Sequence, residues 1–247
     1  MCLILFAKNC HPKYKLILIA NRDEFYNRPT KELHKWASGM YAGKDLQAGG
    51  TWMGIAGDGK FAALTNFRAP NQIDTTKRTR GHLVSRFLTG NQHPYPYLES
   101  VHHLASTYNG FNLLCGSPDA LFYYSNIQKK IIEIEDGIHG LSNAFLNTDW
   151  PKVTKGKHQL KHAIQAPEIT ISDLFQILSD KEKASDETLP STGVSVEWER
   201  KLSPLFIQSE TYGTRCSSII TIDKNNAVQF IERSFYTNSF ADVHLRF

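Results

Sequence analysis

Cysteine is scarce and scattered. Cys2, Cys10, Cys115 and Cys216 in a chain of 247 residues are too few and too far apart for a disulfide framework or a metal knuckle. Free thiols in a reducing cytoplasm are the expected state. No apolar run approaches the roughly 20 residues a membrane helix needs, so no membrane span is expected. The N-terminus lacks a basic segment ahead of a long apolar core, which argues against a signal peptide. A large charge of one sign is missing too: the net charge is +4. Lys77-Arg78-Thr79-Arg80 can touch an anionic ligand. It lacks interleaved aromatics and reads as a solvated face, so no nucleic-acid partner is expected. Gly49 and Gly50 stand outside any GxGxxG or GxxxxGKS context and read as a tight turn. His102 and His103 are adjacent and point two ways on a helix; no metal site and no cofactor is expected. There is no internal repeat and no firm boundary. Hydrophobic residues at 41% and charged residues at 21% fit a single globular domain over residues 1–247.

What the chain does have is concentrated at its start. Leu3 to Ala7 and Tyr14 to Ala20 are apolar runs joined by the polar turn Lys8 to Lys13, the pattern of a β-hairpin. The second run ends in Asn21-Arg22-Asp23-Glu24-Phe25, so the hairpin returns this polar cluster to Cys2. If Met1 is removed, Cys2 carries an α-amine with a reference pKa of about 7.7–8.0 beside a thiol of about 8.5. One group can then serve as base for the other without a histidine. The alternative is a small apolar residue opening a buried strand.

Downstream, Met53 to Ile55 and Phe61 to Asn66 flank a turn at Gly57-Asp58-Gly59, a second hairpin. Tyr26 to Gln47 reads as irregular and charge-rich. Gly81 to Leu88 and Tyr97 to Tyr108 read as helices. Phe111 to Cys115, Leu121 to Tyr124 and Ile131 to Ile134 read as strands. Lys152 to Ile164 and Ser172 to Leu178 are helical, the latter with Ser172 as candidate N-cap. Asp180 to Gly193 is a polar loop suited to a linker or a flap over a pocket. Cys216 to Ile222 and Val228 to Phe235 close the chain as strands. Strands at both ends with helices gathered between them predict an α+β fold, mostly antiparallel. Two stacked sheets with helices outside accommodate this order, with the first and last strands central and Cys2 at a sheet end.

Several separated motifs then carry a resemblance. Ala20 to Phe25, Gly50-Thr51-Trp52-Met53-Gly54, Ala63 to Arg68, Leu141-Ser142-Asn143-Ala144 and Tyr212-Gly213-Thr214-Arg215 are similar, in this order, to the NRDE family, that of the transport and Golgi organisation 2 protein. Leu189 to Gly193 and Glu197 to Arg200 belong to the same likeness. The pattern in turn resembles the N-terminal nucleophile hydrolases of the choloylglycine hydrolase and penicillin V acylase type. That likeness implies a four-layer αββα sandwich in which a mature N-terminal Cys attacks an amide or related acyl bond. Cys2 matches the nucleophile, Asn66 an asparagine near the oxyanion, Asn143 the oxyanion-hole asparagine and Arg215 a late active-site arginine. For Asn66 and Asn143 the alternative is a turn-capping or strand-end amide, for Arg215 a surface ion pair, and for Asp23 and Glu24 an exposed turn.

This chain departs from the hydrolases after the second strand. They carry Arg-x-x-Asp there. The ungapped register offers Asn21 and Glu24 instead, and a one-residue shift offers Arg22 and Asp23 at the wrong spacing. Alternation on a regular strand puts Asn21 and Asp23 on one face and Arg22 and Glu24 on the other. The resemblance implies a small acyl substrate or hydrophobic anion as partner. It also leaves a second class open: a non-catalytic carrier on the same scaffold, for haem or acyl-CoA, since the NRDE family is linked to haem handling and lipid metabolism. The chain has no CxxCH haem attachment, and Cys10-His11 reads as a loop pair.

Overall fold

A computed structural model describes residues 2–166, 168–236 and 239–247. Two antiparallel sheets are stacked. The first contains β1 (Cys2–Lys8), β2 (Tyr14–Phe25), β10 (Gly137–Leu141), β11 (Tyr212–Asp223), β12 (Val228–Tyr236) and β13 (Ser239–Arg246), in the order β10-β1-β2-β11-β12-β13. The second contains β3 (Thr30–Lys35), β4 (Tyr41–Asp45), β5 (Met53–Ile55), β6 (Phe61–Asn66), β7 (Phe111–Ser117), β8 (Ala120–Ser125) and β9 (Lys130–Glu133), paired in sequence order. Helices α1 (Gly81–Thr89) and α2 (Pro94–His103) cover the second sheet. Helices α3 (Pro151–Gln165) and α4 (Ile171–Leu178) cover the first, and α5 (Val196–Leu202) precedes β11.

Three apolar clusters correspond to the three interfaces of this αββα sandwich. Ile4, Phe6, Leu18, Ala20, Ile220 and Phe230 face Met53, Phe61 and Leu114 between the sheets. Leu83, Val84, Phe87 and Leu98 pack on Leu113 and Tyr124 under α1 and α2. Leu3, Leu5, Ile17, Ile19 and Ile219 meet Leu160, Leu174 and Leu178 under α3 and α4. The central strands β1, β2 and β11 are apolar on both faces because both are covered, which is why they read as continuous hydrophobic runs. Helix α3 comes close to β1: a Cβ on Gly156 would stand 2.5 Å from the Leu5 Cδ1 atom, an approach only glycine permits.

Several expectations are corrected. The stretch read as irregular contains β3 and β4, whose charged residues sit at the rim of the second sheet. The first and last expected strands, β1 and β12, each lie one strand in from an edge; the centre belongs to β2 and β11, and β13 follows as an edge strand. Strand β10 extends the other edge beside β1. Helix α2 starts earlier, at Pro94, and ends at His103, where a short 3₁₀ turn takes over. The cap of α4 is Thr170, in a reciprocal capping box with Asp173, and not Ser172. Among the described residues, no helix is long and apolar enough to cross a membrane.

Candidate functional site

Register places the polar residues after β2. Cys2 lies opposite Arg22 on one side, and Cys216 lies opposite Arg22 on the other. Since Ile4, Phe6, Leu18, Ala20 and Ile220 face the second sheet, two-residue periodicity turns Cys2, Arg22, Glu24 and Cys216 the same way. There the sheets diverge into a cleft of about 390 Å³ that includes all four residues. The Arg215 bulge, between Thr214 and Cys216, adds twist at this end of the sheet.

The electrostatics of the cleft centre on Arg22. Its residue is 9% exposed, and its guanidinium makes no side-chain hydrogen bond or ion pair with a described residue. It stands within electrostatic reach of Cys2, Cys216 and Glu232. Burial pushes the Cys2 thiol up, as does the Asp23 carboxylate; Arg22 and a hydrogen bond from the Asp23 backbone N–H pull the other way. Burial likewise raises the Glu232 carboxyl against the Leu33 N–H, 2.7 Å away, and the Cys216 thiol. Glu24 is engaged locally: it accepts from the Phe25 N–H at 2.9 Å and lies 3.7 Å from Arg28. Arg28 itself clamps Asp45 at 2.7 and 3.0 Å.

The other face of β2 is occupied differently. Asn21 is fully buried and donates to the carbonyls of Leu178 and Leu205, both at 2.8 Å, while accepting from the Ser217 hydroxyl at 2.6 Å. Asn21 therefore ties α4 and the segment before β11 to the sheet, away from the cleft. Asp23 borders the cleft, but its carboxylate accepts from Thr214 Oγ1 at 2.7 Å and faces Lys152 on α3. Burial pushes the Asp23 carboxyl up, and Lys152 draws it back down. Arg68 and Glu199 form a buried ion pair at 2.5 Å in the same region, with Arg68 stacked over Trp150 at 4.5 Å.

Asn143 follows β10 by two residues. Since Leu141 pairs with Ile4, continuing that line brings Asn143 beside Cys2, on the side away from Arg22. Ser142 Oγ donates to the Cys2 carbonyl at 3.0 Å. One N–H of the Asn143 amide donates to the Asn66 carbonyl at 2.7 Å, and the Arg68 N–H donates to the Asn143 carbonyl at 2.7 Å. These bonds join the two sheets at the cleft. Asn66 lines the cleft. Arg215 lines it too, but its guanidinium donates to the carbonyls of Phe25, Tyr26 and Arg28 at 2.8, 3.1 and 3.0 Å. It holds the turn after β2. Cys2, Arg22, Asp23, Glu24, Asn66 and Arg215 thus meet at one cleft, Asn143 flanks Cys2, and Asn21 points elsewhere.

Sequence reasoning did not single out Cys216, Glu232, Lys152, Arg68 or Glu199 for this region. Cys216 and Glu232 become visible once β11 and β12 are paired in register. Lys152 and Glu199 lie on helices where a charge ordinarily faces water. The basic cluster is a different case: Lys77 and Arg78 are exposed, as a solvated face would be, and with Arg80 and Ile73 they also line the cleft. Residues 180–193, read as a linker or flap, are not part of the lining. Among the described residues, no group of three His, Cys, Asp or Glu converges on a metal position.

Comparison with known proteins supplies the kinship. The profile of the Transport and Golgi organisation 2 family matches residues 1–237. The Transport and Golgi organization 2 homolog of Mus musculus is 36% identical over 261 positions, spanning 95% of this chain and 93% of that protein. The Drosophila melanogaster Transport and Golgi organization protein 2 is 30% identical over 264 positions, spanning 95% and 92%. Among solved structures, a mutant conjugated bile acid hydrolase from Clostridium perfringens superposes with a TM-score of 0.55 over 99% of this chain and 92% of that one, at 10% identity. That is a likeness of fold: the sandwich is that of the N-terminal nucleophile hydrolases. The chain belongs to the Transport and Golgi organisation 2 family.

Proposed function

We propose that the protein is an N-terminal cysteine hydrolase that cleaves an amide or related acyl bond in a small substrate with apolar and anionic parts. The observation that carries this reading is Arg22, whose guanidinium makes no side-chain hydrogen bond or ion pair with a described residue and which flanks Cys2 in an open cleft. A guanidinium that faces a cleft without a bonded side-chain partner can take a carboxylate or similar anion through paired hydrogen bonds. With Met1 removed, the Cys2 α-amine takes the thiol proton and sulfur attacks the carbonyl. The raised thiol makes that base necessary. The second N–H of Asn143 and the Asn66 amide are the nearest candidates to hold the oxyanion. The ammonium returns its proton to the leaving amine, and water then clears the thioester. Asp23 and Glu24 would balance the ammonium and Arg215 would keep the cleft wall in place. A reducing compartment such as the cytoplasm suits this chemistry, because all four cysteines are free.

The test is a screen of acidic acyl amides and thioesters, with mass detection of an acyl group on Cys2. Wild type is expected to show the adduct and turn over at least one compound. Cys2→Ala with undiminished turnover of that compound would sink the reading.

A second reading has its own support. One N–H of Asn143 and the Arg215 guanidinium are committed to backbone carbonyls, and Lys77, Arg78 and Arg80 gather cations at the mouth. A carrier that holds haem or acyl-CoA without cleaving it would need no more. Under this reading Cys2→Ala binds either ligand as tightly as wild type, and no acyl compound is turned over.

A further inference from the structure

On α3 the residues 152, 156, 160 and 164 form one buried stripe, the i, i+4 ladder that packs a helix on a sheet. Gly156, Leu160 and Ile164 fit an apolar stripe; Lys152 does not. It is 3% exposed, and its Nζ atom has no hydrogen-bond partner among the described residues. It also stands in the first helical turn, where the helix dipole opposes a positive charge. Burial drives its pKa down to about 8, with Asp23 the largest opposing influence. The charged and titratable groups around it are Asp23 on β2, Arg68 after β6, Cys2 on β1 and Glu199 on α5. Arg68 and Glu199 neutralise each other, which leaves Lys152 and Asp23 as the pair nearest the start of β1. A residue so poorly accommodated by the fold points to a role outside stability.

We propose that Lys152 is a positioning residue for the nucleophile: its charge offsets Asp23, so that the Cys2 terminal amine stays in its base form. This rests on Cys2 being the terminal nucleophile. Arg22 and the Thr214 hydroxyl also act on Asp23, but an amine beside a carboxylate that has lost its largest counter-charge would hold its proton more tightly and serve less well as a base for the thiol. With Lys152 opposite, the carboxylate can orient the amine without fixing it as ammonium.

The experiment follows alkylation of Cys2 by iodoacetamide against pH in the full chain, read at the Cys2 peptide by mass, in wild type, Lys152→Met and Lys152→Arg. Lys152→Met is expected to move the midpoint upward by about one unit, close to a tenfold loss of rate below it, and Lys152→Arg to leave it near wild type. A Met1-free Lys152→Met protein with an unmoved midpoint overturns this inference alone. Retention of Met1 overturns both this inference and the hydrolase reading. Should Lys152→Met not fold, the nitrogen NMR shift of the Lys152 amine in wild type decides. A Lys152 amine still charged at pH 7 supports the role, and one that is already neutral below that pH contradicts it.

Discussion

Asn21 and Arg22 are neighbours on one strand, and the fold treats them in opposite ways. Asn21 spends both amide hydrogens and its carbonyl on fixed partners. Arg22 faces the cleft with no bonded partner among the described residues. The first residue is explained by what it holds together. The second is not explained by the fold at all, and that remainder is what marks the site. The contrast belongs to these two residues and not to whole layers: the helix side holds both the Arg68–Glu199 pair and Lys152, whose amine has no hydrogen-bond partner among the described residues.

Four measurements test this division. Breaking the Arg68–Glu199 pair with Glu199→Gln is expected to have the largest effect on stability, about 3–5 kcal/mol by denaturant unfolding, because it removes the charge opposite a buried guanidinium. Asn21→Ala comes next, at about 2–3 kcal/mol, since two buried carbonyls and a hydroxyl lose their partner. Anion binding in the cleft should not change in that variant; if it does, the two faces are coupled and the comparison fails. Arg22→Met should invert the pattern. Stability holds or rises, as when a buried charge is replaced by an apolar side chain. Affinity for an anionic ligand should fall by about 10- to 100-fold, the equivalent of a charged hydrogen bond of about 1.5–3 kcal/mol. Calorimetry and unfolding on the same sample separate these outcomes.

The smallest effect concerns the partly exposed Arg28–Asp45 clamp. Burial would raise the Asp45 carboxyl, but the hydrogen bonds from Arg28 hold it below its ordinary value. A carboxyl depressed in the folded state stabilises above its unfolded pKa of about 3.9. That contribution is lost as pH falls through the lower folded value. Solvent screening keeps it under about 1 kcal/mol. Asp45→Asn should therefore narrow the stability gap between pH 6 and pH 3 by up to that amount.

How much of this was legible beforehand depends on which physical signal each part carries. The opening hairpin was readable because β1 and β2 are buried on both faces and bounded by a polar turn. The alternation of Asn21 and Asp23 against Arg22 and Glu24 was readable too, since it follows from strand geometry alone. Which pair would see the cleft was not, because that depends on which sheet covers which face. Strands β3, β4 and β13 went unread: their sequences are largely charged or half-exposed, and edge or rim strands lack a clean two-residue apolar rhythm. Thr170 lost to Ser172 as a cap although Thr170-x-x-Asp173 carries the capping box in plain sight. Lys152 could not be found by pattern, because a lysine on an amphipathic helix is read as facing water.

The central claim is that Cys2 is the mature terminus and its own proton acceptor. Intact mass of the purified full-length protein tests it most directly. The expected result is a chain lighter by one methionine, with Cys2 bearing a free amine. A chain that quantitatively retains Met1 would contradict the claim, because an amide nitrogen cannot take the thiol's proton.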